Sequence, residues 1–292
     1  MAWKVGDIMI LNDWKFWTIF YLICSITFAQ SFKKANRNMK NAGSLTILLE
    51  VFTALFSLLF IPFFNFTLPT DPNIYITLLT VVVIYAFTDR LNIEARYGLD
   101  PSVFSMLKQL STVFLMIFGF LLLKERIVIK KVIGAVIIII ANLILTIDKG
   151  KIIINKYFLM SFLSNFLFAI AMLINVNISD NFNLAFYTVL TVFLPSILIF
   201  MFGKHNIKEL VEEFNLYDKK KFILASFCWA LMLISSVRAY QLGNVTTVAP
   251  ILTLTSILNT LYEYVILKNK NKFFQKLIAS ILIITGVLLI RL

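Results

Sequence analysis

The run Val136-Ile137-Ile138-Ile139-Ile140 decides what kind of molecule this is. It lies inside an apolar stretch over 127–147, and a helix needs about 20 apolar residues to cross a hydrocarbon core about 30 Å thick. The apolar residues are consecutive, without the alternation over about 10 positions that a transmembrane β-strand requires. Working outward, similar stretches precede it at 14–32, 44–64, 73–95 and 101–123. Others follow at 157–177, 184–203, 221–242, 245–267 and 273–291. Polar punctuation separates them, as in Lys33-Lys34-Ala35-Asn36-Arg37, Pro69-Thr70-Asp71-Pro72 and Leu99-Asp100-Pro101. The pattern predicts an all-α polytopic membrane protein of about ten transmembrane helices. The longest connection runs from Lys204 to Lys221, where Leu210, Val211 and Phe214 recur at helical spacing. A short amphipathic surface helix and a solvated loop both fit it.

Composition points the same way. Of 292 residues, 60% are hydrophobic and 14% charged, with a mean hydropathy of +0.89. Soluble domains sit near 45–50% apolar and about 25% charged, so a water-soluble enzyme is excluded, and a disordered chain with it. The net charge of +12 is spread between the apolar runs rather than along one stripe. It reads as loop charge that orients a membrane protein, not as a nucleic-acid surface. The first apolar run is too long for a signal-peptide core. Cys24 and Cys228 lie inside apolar runs, and His205, the single histidine, lies in a polar connection. That set makes no zinc site of the usual kind, and neither a metal nor a cofactor is expected. No glycine-rich phosphate loop is present to drive a pump with ATP.

An internal repeat divides the chain into 1–150 and 151–292. Leu99 to Arg126 aligns with Gly243 to Lys270, placing Asp100 opposite Asn244 and Leu123-Lys124 opposite Leu267-Lys268. After a one-residue shift, Lys131-Val132-Ile133-Gly134-Ala135 faces Lys276-Leu277-Ile278-Ala279-Ser280. Five helices per copy is an odd number, so the second copy must be inverted. Inverted repeats are the architecture of alternating-access transporters, with the substrate near the midplane between them.

The stretch from Tyr97-Gly98-Leu99-Asp100-Pro101 through Leu122-Leu123-Lys124-Glu125-Arg126 to Gly134 resembles the EamA-like branch of the drug/metabolite transporter superfamily. The second copy departs from it, with Lys268-Asn269-Lys270 in place of the acidic signature, but keeps a glycine, Gly286, in its last helix. The resemblance implies a ten-helix secondary transporter with both termini in the cytoplasm. Lysine and arginine counts imply the opposite. The connections between helices 1–2, 3–4, 5–6, 7–8 and 9–10 hold 17, against 7 on the other side, which places the former in the cytoplasm. Orientation stays open between these two readings.

An ionisable group at mid-membrane costs at least about 2.5–3.5 kcal/mol and is by default a functional candidate. Lys108 leads, because Ser105, Lys108 and Thr112 share one helical face that would line water. The local Leu107-Lys108-Gln109-Leu110-Ser111-Thr112 is also similar to a helix-4 segment of nucleotide-sugar transporters, which implies a substrate contact for Lys108 but not that specificity. The alternative is a lysine snorkelling to the interface. Asp89 lies at a depth where it can neutralise Lys108 across the tight turn. Arg90 and Glu94, at i and i+4, read as an interfacial ion pair. Arg238 is a candidate for a carboxylate or phosphate, or else a partner of Glu263 or an interfacial residue. Glu50, Asp89 and Glu263 are candidates for a coupling proton, with partial exposure at a helix end as the alternative for Glu50 and Glu263. Helix 9 carries a polar stripe, Thr246, Pro250, Thr253, Ser256, Asn259 and Thr260, in which Thr253 and Asn259 are substrate candidates. Hydrogen bonding between helices would account for many of these.

The function expected is secondary transport of a small polar, anionic or zwitterionic metabolite across the plasma membrane. Its partners are the substrate and the lipid bilayer, without nucleic acid, and a homodimer is compatible. The competing readings are a membrane scaffold or accessory protein and an intramembrane lipid-modifying enzyme. The enzyme would need an acid–base or metal constellation that the chain does not display.

Overall fold

The computed structural model describes residues 12–122, 128–148, 151–152, 154–175, 178–243, 248 and 251–291. The Lys124-Glu125-Arg126 signature and the readings on Asn244, Thr246 and Pro250 lie outside the described residues. The fold is built of helices: α1 Trp14–Ala35, α2 Ala42–Leu58, α3 Pro72–Gly98, α4 Pro101–Leu107, α5 Leu110–Leu122 and α6 Ile129–Thr146. After a two-residue antiparallel pairing of Ile147–Asp148 with Lys151–Ile152 come α7 Lys156–Asn175, α8 Leu184–Phe202, α9 Ile207–Asn215, α10 Lys219–Leu242, α11 Thr255–Val265 and α12 Phe273–Arg291. Among the described residues, six spans are long and apolar enough to cross a membrane: α3, the kinked stretch Pro101–Phe118, α7, α8, α10 and α12. The protein is therefore a multi-pass helical membrane protein.

The boundaries follow local chemistry. Asp13, Asn41, Asp71, Asn183 and Asp218 each cap a helix by accepting a backbone N–H with the side chain, satisfying donors that the first turn leaves unpaired. The α2 segment stops at Leu58 rather than reaching 64. Leu59 and Phe60 tighten into i→i+3 bonds to Phe56 and Ser57, and Pro62, which has no N–H to give the α-helical ladder, sits in a single 3-10 turn, Ile61–Phe63. The Lys204–Lys221 connection does fold as a surface helix, α9, opened by a capping box between Asn206 and Glu209. Its Glu213 carboxylate ties it down by accepting from the Lys40 N–H at 2.8 Å and the Asn41 N–H at 3.2 Å.

Packing pairs elements distant in sequence. The α1 helix runs along α10, α3 along α7, α2 against α8 and α6 against α12. The α2 helix also meets α10, α3 meets α8, and α4 faces α11. Phe28, Phe32, Phe222 and Trp229 fill the α1–α2–α10 core, with Phe28 stacked on Trp229 at 5.6 Å. Cys24 and Cys228 are buried free thiols in that core. The α6–α12 contact depends on small residues. A Cβ on Gly134 would meet the Gly286 carbonyl at 2.5 Å, and one on Gly286 would meet the Gly134 carbonyl at 2.7 Å. Lipid tails are as apolar as leucine, so such close backbone approach, rather than burial from water, holds membrane helices together.

Candidate functional site

The helix that carries Lys108 is broken at Lys108. The Gln109 N–H bonds to Met106 O at 3.0 Å and the Ser111 N–H to Lys108 O at 3.2 Å, so the backbone shifts from i→i+4 to i→i+3 bonding between α4 and α5. The carbonyl of Leu107, released by this shift, accepts from Asn165 Nδ2 of α7 at 3.2 Å. The Ser111 hydroxyl donates to Lys108 O at 2.7 Å. A second interruption lies at Leu254, just before α11, where the Leu254 N–H bonds to Ile251 O at 3.0 Å. In the repeat alignment Leu254 faces Leu110, two residues beyond Lys108, so the two interruptions fall within one helical turn of each other. Broken helices of this kind are found where transporters bind substrate.

Between the two interruptions lies a small, partly open cavity of about 30 Å³, room for one or two water molecules. Lys108, Ser105 and Asn259 line it, with Tyr21, Ser25 and Thr255. Arg96 lines it as well, although its place at the end of an apolar run put it among the loop charges. Its guanidinium packs over Phe104 at 4.0 Å and Phe28 at 4.8 Å, and its Nε donates to Asn92 Oδ1 at 2.8 Å. The signal was available: Asn92 and Arg96 are one turn apart, and a guanidinium stacks on aromatic faces as well as pairing with anions. Lys108 Nζ sits 6.0 Å from the Phe168 ring.

Asp89 is within electrostatic reach of both Arg96 and Lys108. On its other side is Glu50, fully buried, whose carboxyl lies near that of Asp89 without good hydrogen-bond geometry. Asn259 accepts from Gln30 Nε2 at 3.0 Å and donates to Thr255 O at 3.0 Å. Ser256 and Thr260 donate to their own helix backbone, and Thr253 is buried beside the cavity-lining Leu252. Thr112 follows the break, its N–H bonded to Gln109 O at 3.1 Å.

Two candidates lie elsewhere. Glu263 pairs not with Arg238 but with Lys276, Oε2 to Nζ at 2.9 Å, and Lys276 also reaches Asp100 Oδ2 at 2.9 Å. Glu263 accepts from the Ser102 N–H at 2.9 Å and hydroxyl at 2.6 Å. Asp100, at the N-cap position of α4, makes no side-chain capping bond; the Glu263 carboxylate of α11 takes that role. This cluster joins α4, α11 and α12 at the end bearing the 3–4 and 9–10 connections. Arg238 contacts Gln241 Oε1 at 3.3 Å, and Gln241 in turn contacts Asp180; it does not line the cavity.

Fold and site together define a multi-pass membrane protein with a cation-lined cavity at two interrupted helices. Residues 15–147 match the EamA-like transporter family, which bears out the resemblance to the drug/metabolite transporter superfamily and points to a membrane transporter. No protein of curated function matches the chain. A solved crystal structure whose title names no activity is similar over 94% of each chain, with 12% identity and a TM-score of 0.54. That similarity is one of fold.

Proposed function

We propose that the protein is a secondary transporter of a small anionic or zwitterionic metabolite, working by alternating access of two inverted five-helix halves with ten transmembrane helices in all. The packing supports the repeat. If α1, α2 and α3 exchange with α7, α8 and α10, the α1–α10 contact becomes the α7–α3 contact, and the α2–α10 contact becomes α8–α3; the α2–α8 and α6–α12 contacts map onto themselves. That pattern is what a two-fold relation between halves requires. The family match also ends at residue 147, close to the midpoint of the chain.

The observation that carries the reading is the convergence of Arg96 and Lys108, with Ser105 and Asn259, on one small cavity beside both helix interruptions. Arg96 spends one donor on Asn92, and its stacked plane suits a carboxylate or phosphate. The small volume fits an occluded state. Asp100, Lys276, Glu263 and Ser102, which tie α4 to α11 and α12 next to the cavity-lining Pro101, act as the gate on this reading. Glu50 and Asp89 form the proton-coupling pair.

Ligand-dependent thermal stability of the purified protein, with the Lys108→Ala and Arg96→Lys variants, tests this. An anion at 100 times its Kd should stabilise the wild type by about 2.7 kcal/mol and neither variant at that concentration. Stabilisation by polyamines alone, or equal anion responses in all three proteins, would overturn the assignment.

A further inference from the structure

The outer face of α3 carries a second arrangement, separate from the central cavity. Ile76, Leu79, Val83 and Phe87 are exposed and spaced by three and four residues, a single stripe along the helix. With 27 residues, α3 is about 40 Å long, roughly 10 Å more than a hydrocarbon core. The same stripe continues through Arg90, Glu94 and Tyr97 in that excess length. On the adjacent α7, Leu159, Phe162 and Leu163 are exposed, and Lys156 stands one turn before them. The two stripes converge on an open cavity of about 320 Å³ lined by Lys40, Arg90, Glu94, Tyr97, Lys156 and Tyr157. Glu94 is shared, at 3.0 Å from Arg90 and 3.6 Å from Lys156. Two cations therefore share one carboxylate, and a third basic residue, Lys40, lines the same cavity.

We propose that this groove is a binding site for an anionic phospholipid, its phosphate held by Arg90, Lys156 and Lys40 and its acyl chains lying on the exposed stripes of α3 and α7. Charge complementarity selects an anion, and the apolar stripes of α3 and α7 beside the cavity select a lipid over a free anion, which would leave them unused. Lys156, with 64% of its side chain exposed, can turn from Glu94 toward a headgroup, as long basic side chains do at an interface. Arg90 and Lys156 do not line the central cavity, so the site stands or falls independently of the transported substrate.

The test is titration of the delipidated full-length protein in detergent, followed by native mass spectrometry, with phosphatidylglycerol, phosphatidylcholine and inorganic phosphate. A basic residue near an anionic lipid contributes roughly a fivefold change in affinity. Phosphatidylglycerol should bind at least about tenfold more tightly than phosphatidylcholine, given several such residues. Lys156→Gln should lose about fivefold of that affinity, whereas Lys208→Gln on α9, 88% exposed, should lose none. Lys40→Gln substitutes for Lys156→Gln if the latter fails to fold. Equal binding of the two lipids, equal losses in the Lys156 and Lys208 variants, or displacement of the lipid by an equal concentration of inorganic phosphate would each overturn the proposal.

Discussion

Replacing Lys276 with methionine isolates the energetics of the cluster that caps α4. The side chains of Lys276 and Glu263 are 5% and 4% exposed, so the carboxylate cannot recruit water when the ammonium is removed. It keeps the Ser102 N–H and hydroxyl but loses the ammonium paired with it, and Lys33 is left as a more distant cation. Breaking a buried pair by removing one partner costs about 3–5 kcal/mol. The second contact, to Asp100, adds little, because that side chain is 41% exposed and water replaces the lysine there. The Lys276→Met variant should therefore lose about 3–5 kcal/mol. Adding Glu263→Gln removes the stranded charge while its amide oxygen still accepts from the Ser102 N–H. The double variant should then recover to within about 1.5 kcal/mol of wild type, one ordinary hydrogen bond. Equilibrium unfolding in mixed micelles, run as a double-mutant cycle, reads the coupling directly. A Lys276→Met protein within about 1 kcal/mol of wild type, or a cycle with no coupling, would refute the reasoning.

Gly134→Leu should separate α6 from α12, because its Cβ meets backbone, the Gly286 carbonyl, rather than a yielding side chain; overpacking of this kind costs about 1–3 kcal/mol, visible as a lowered unfolding midpoint. In the α9–α10 connection, burial and then the Glu213 carboxylate push the Tyr217 phenol above its ordinary value of 10.0. The unfolded chain releases that proton first, so the contribution to stability is complete below about pH 10 and falls as pH rises beyond it. Tyr217→Phe should flatten the loss of stability between about pH 9 and pH 11, and an unchanged slope would remove Tyr217 as its source. On the proposed coupling role, anion binding should take up protons, measured by calorimetry in buffers of different ionisation enthalpy, and Glu50→Gln should abolish the uptake.

The membrane-spanning character of the chain was legible because it rests on length and continuity of apolar runs, which no tertiary contact can override. The α2 boundary was misplaced for a local reason: Phe60, Ile61 and Phe63 continue the hydropathy of the helix past the point where Pro62 ends it. Arg96 and Lys276 were missed as interior residues for a different one. Both stand near the ends of apolar runs, where a charge is ordinarily solvated, and only the packing of α3 and α12 against α4 and α11 draws them inside. Lys108 and Ser105 were legible as one polar helical face, but the break between them and Thr112 was not. Nothing in Met106-Leu107-Lys108-Gln109-Leu110 forbids a continuous helix; the interruption depends on Asn165, 58 residues away, which receives the freed carbonyl.

That interruption also explains how cations can sit so deep. The last turn of α4 ends at Lys108 with backbone carbonyls lacking helical partners, the negative end of a helix dipole, and a lysine at such an end is favoured. Arg96 stands in the last turn of α3, also a negative helix end, and two aromatic faces and the Asn92 amide hold it there. Against these two positive groups stand Asp89 and Glu50, crowded together on one side. Two adjacent carboxylates repel strongly where the dielectric is low, so a proton taken up there relieves repulsion and leaves Arg96 and Lys108 less compensated. An anion in the cavity then gains the attraction that the acids gave up. On the proposed reading, substrate and proton are linked through four side chains on α2, α3 and the α4–α5 break, with no need for a distant relay.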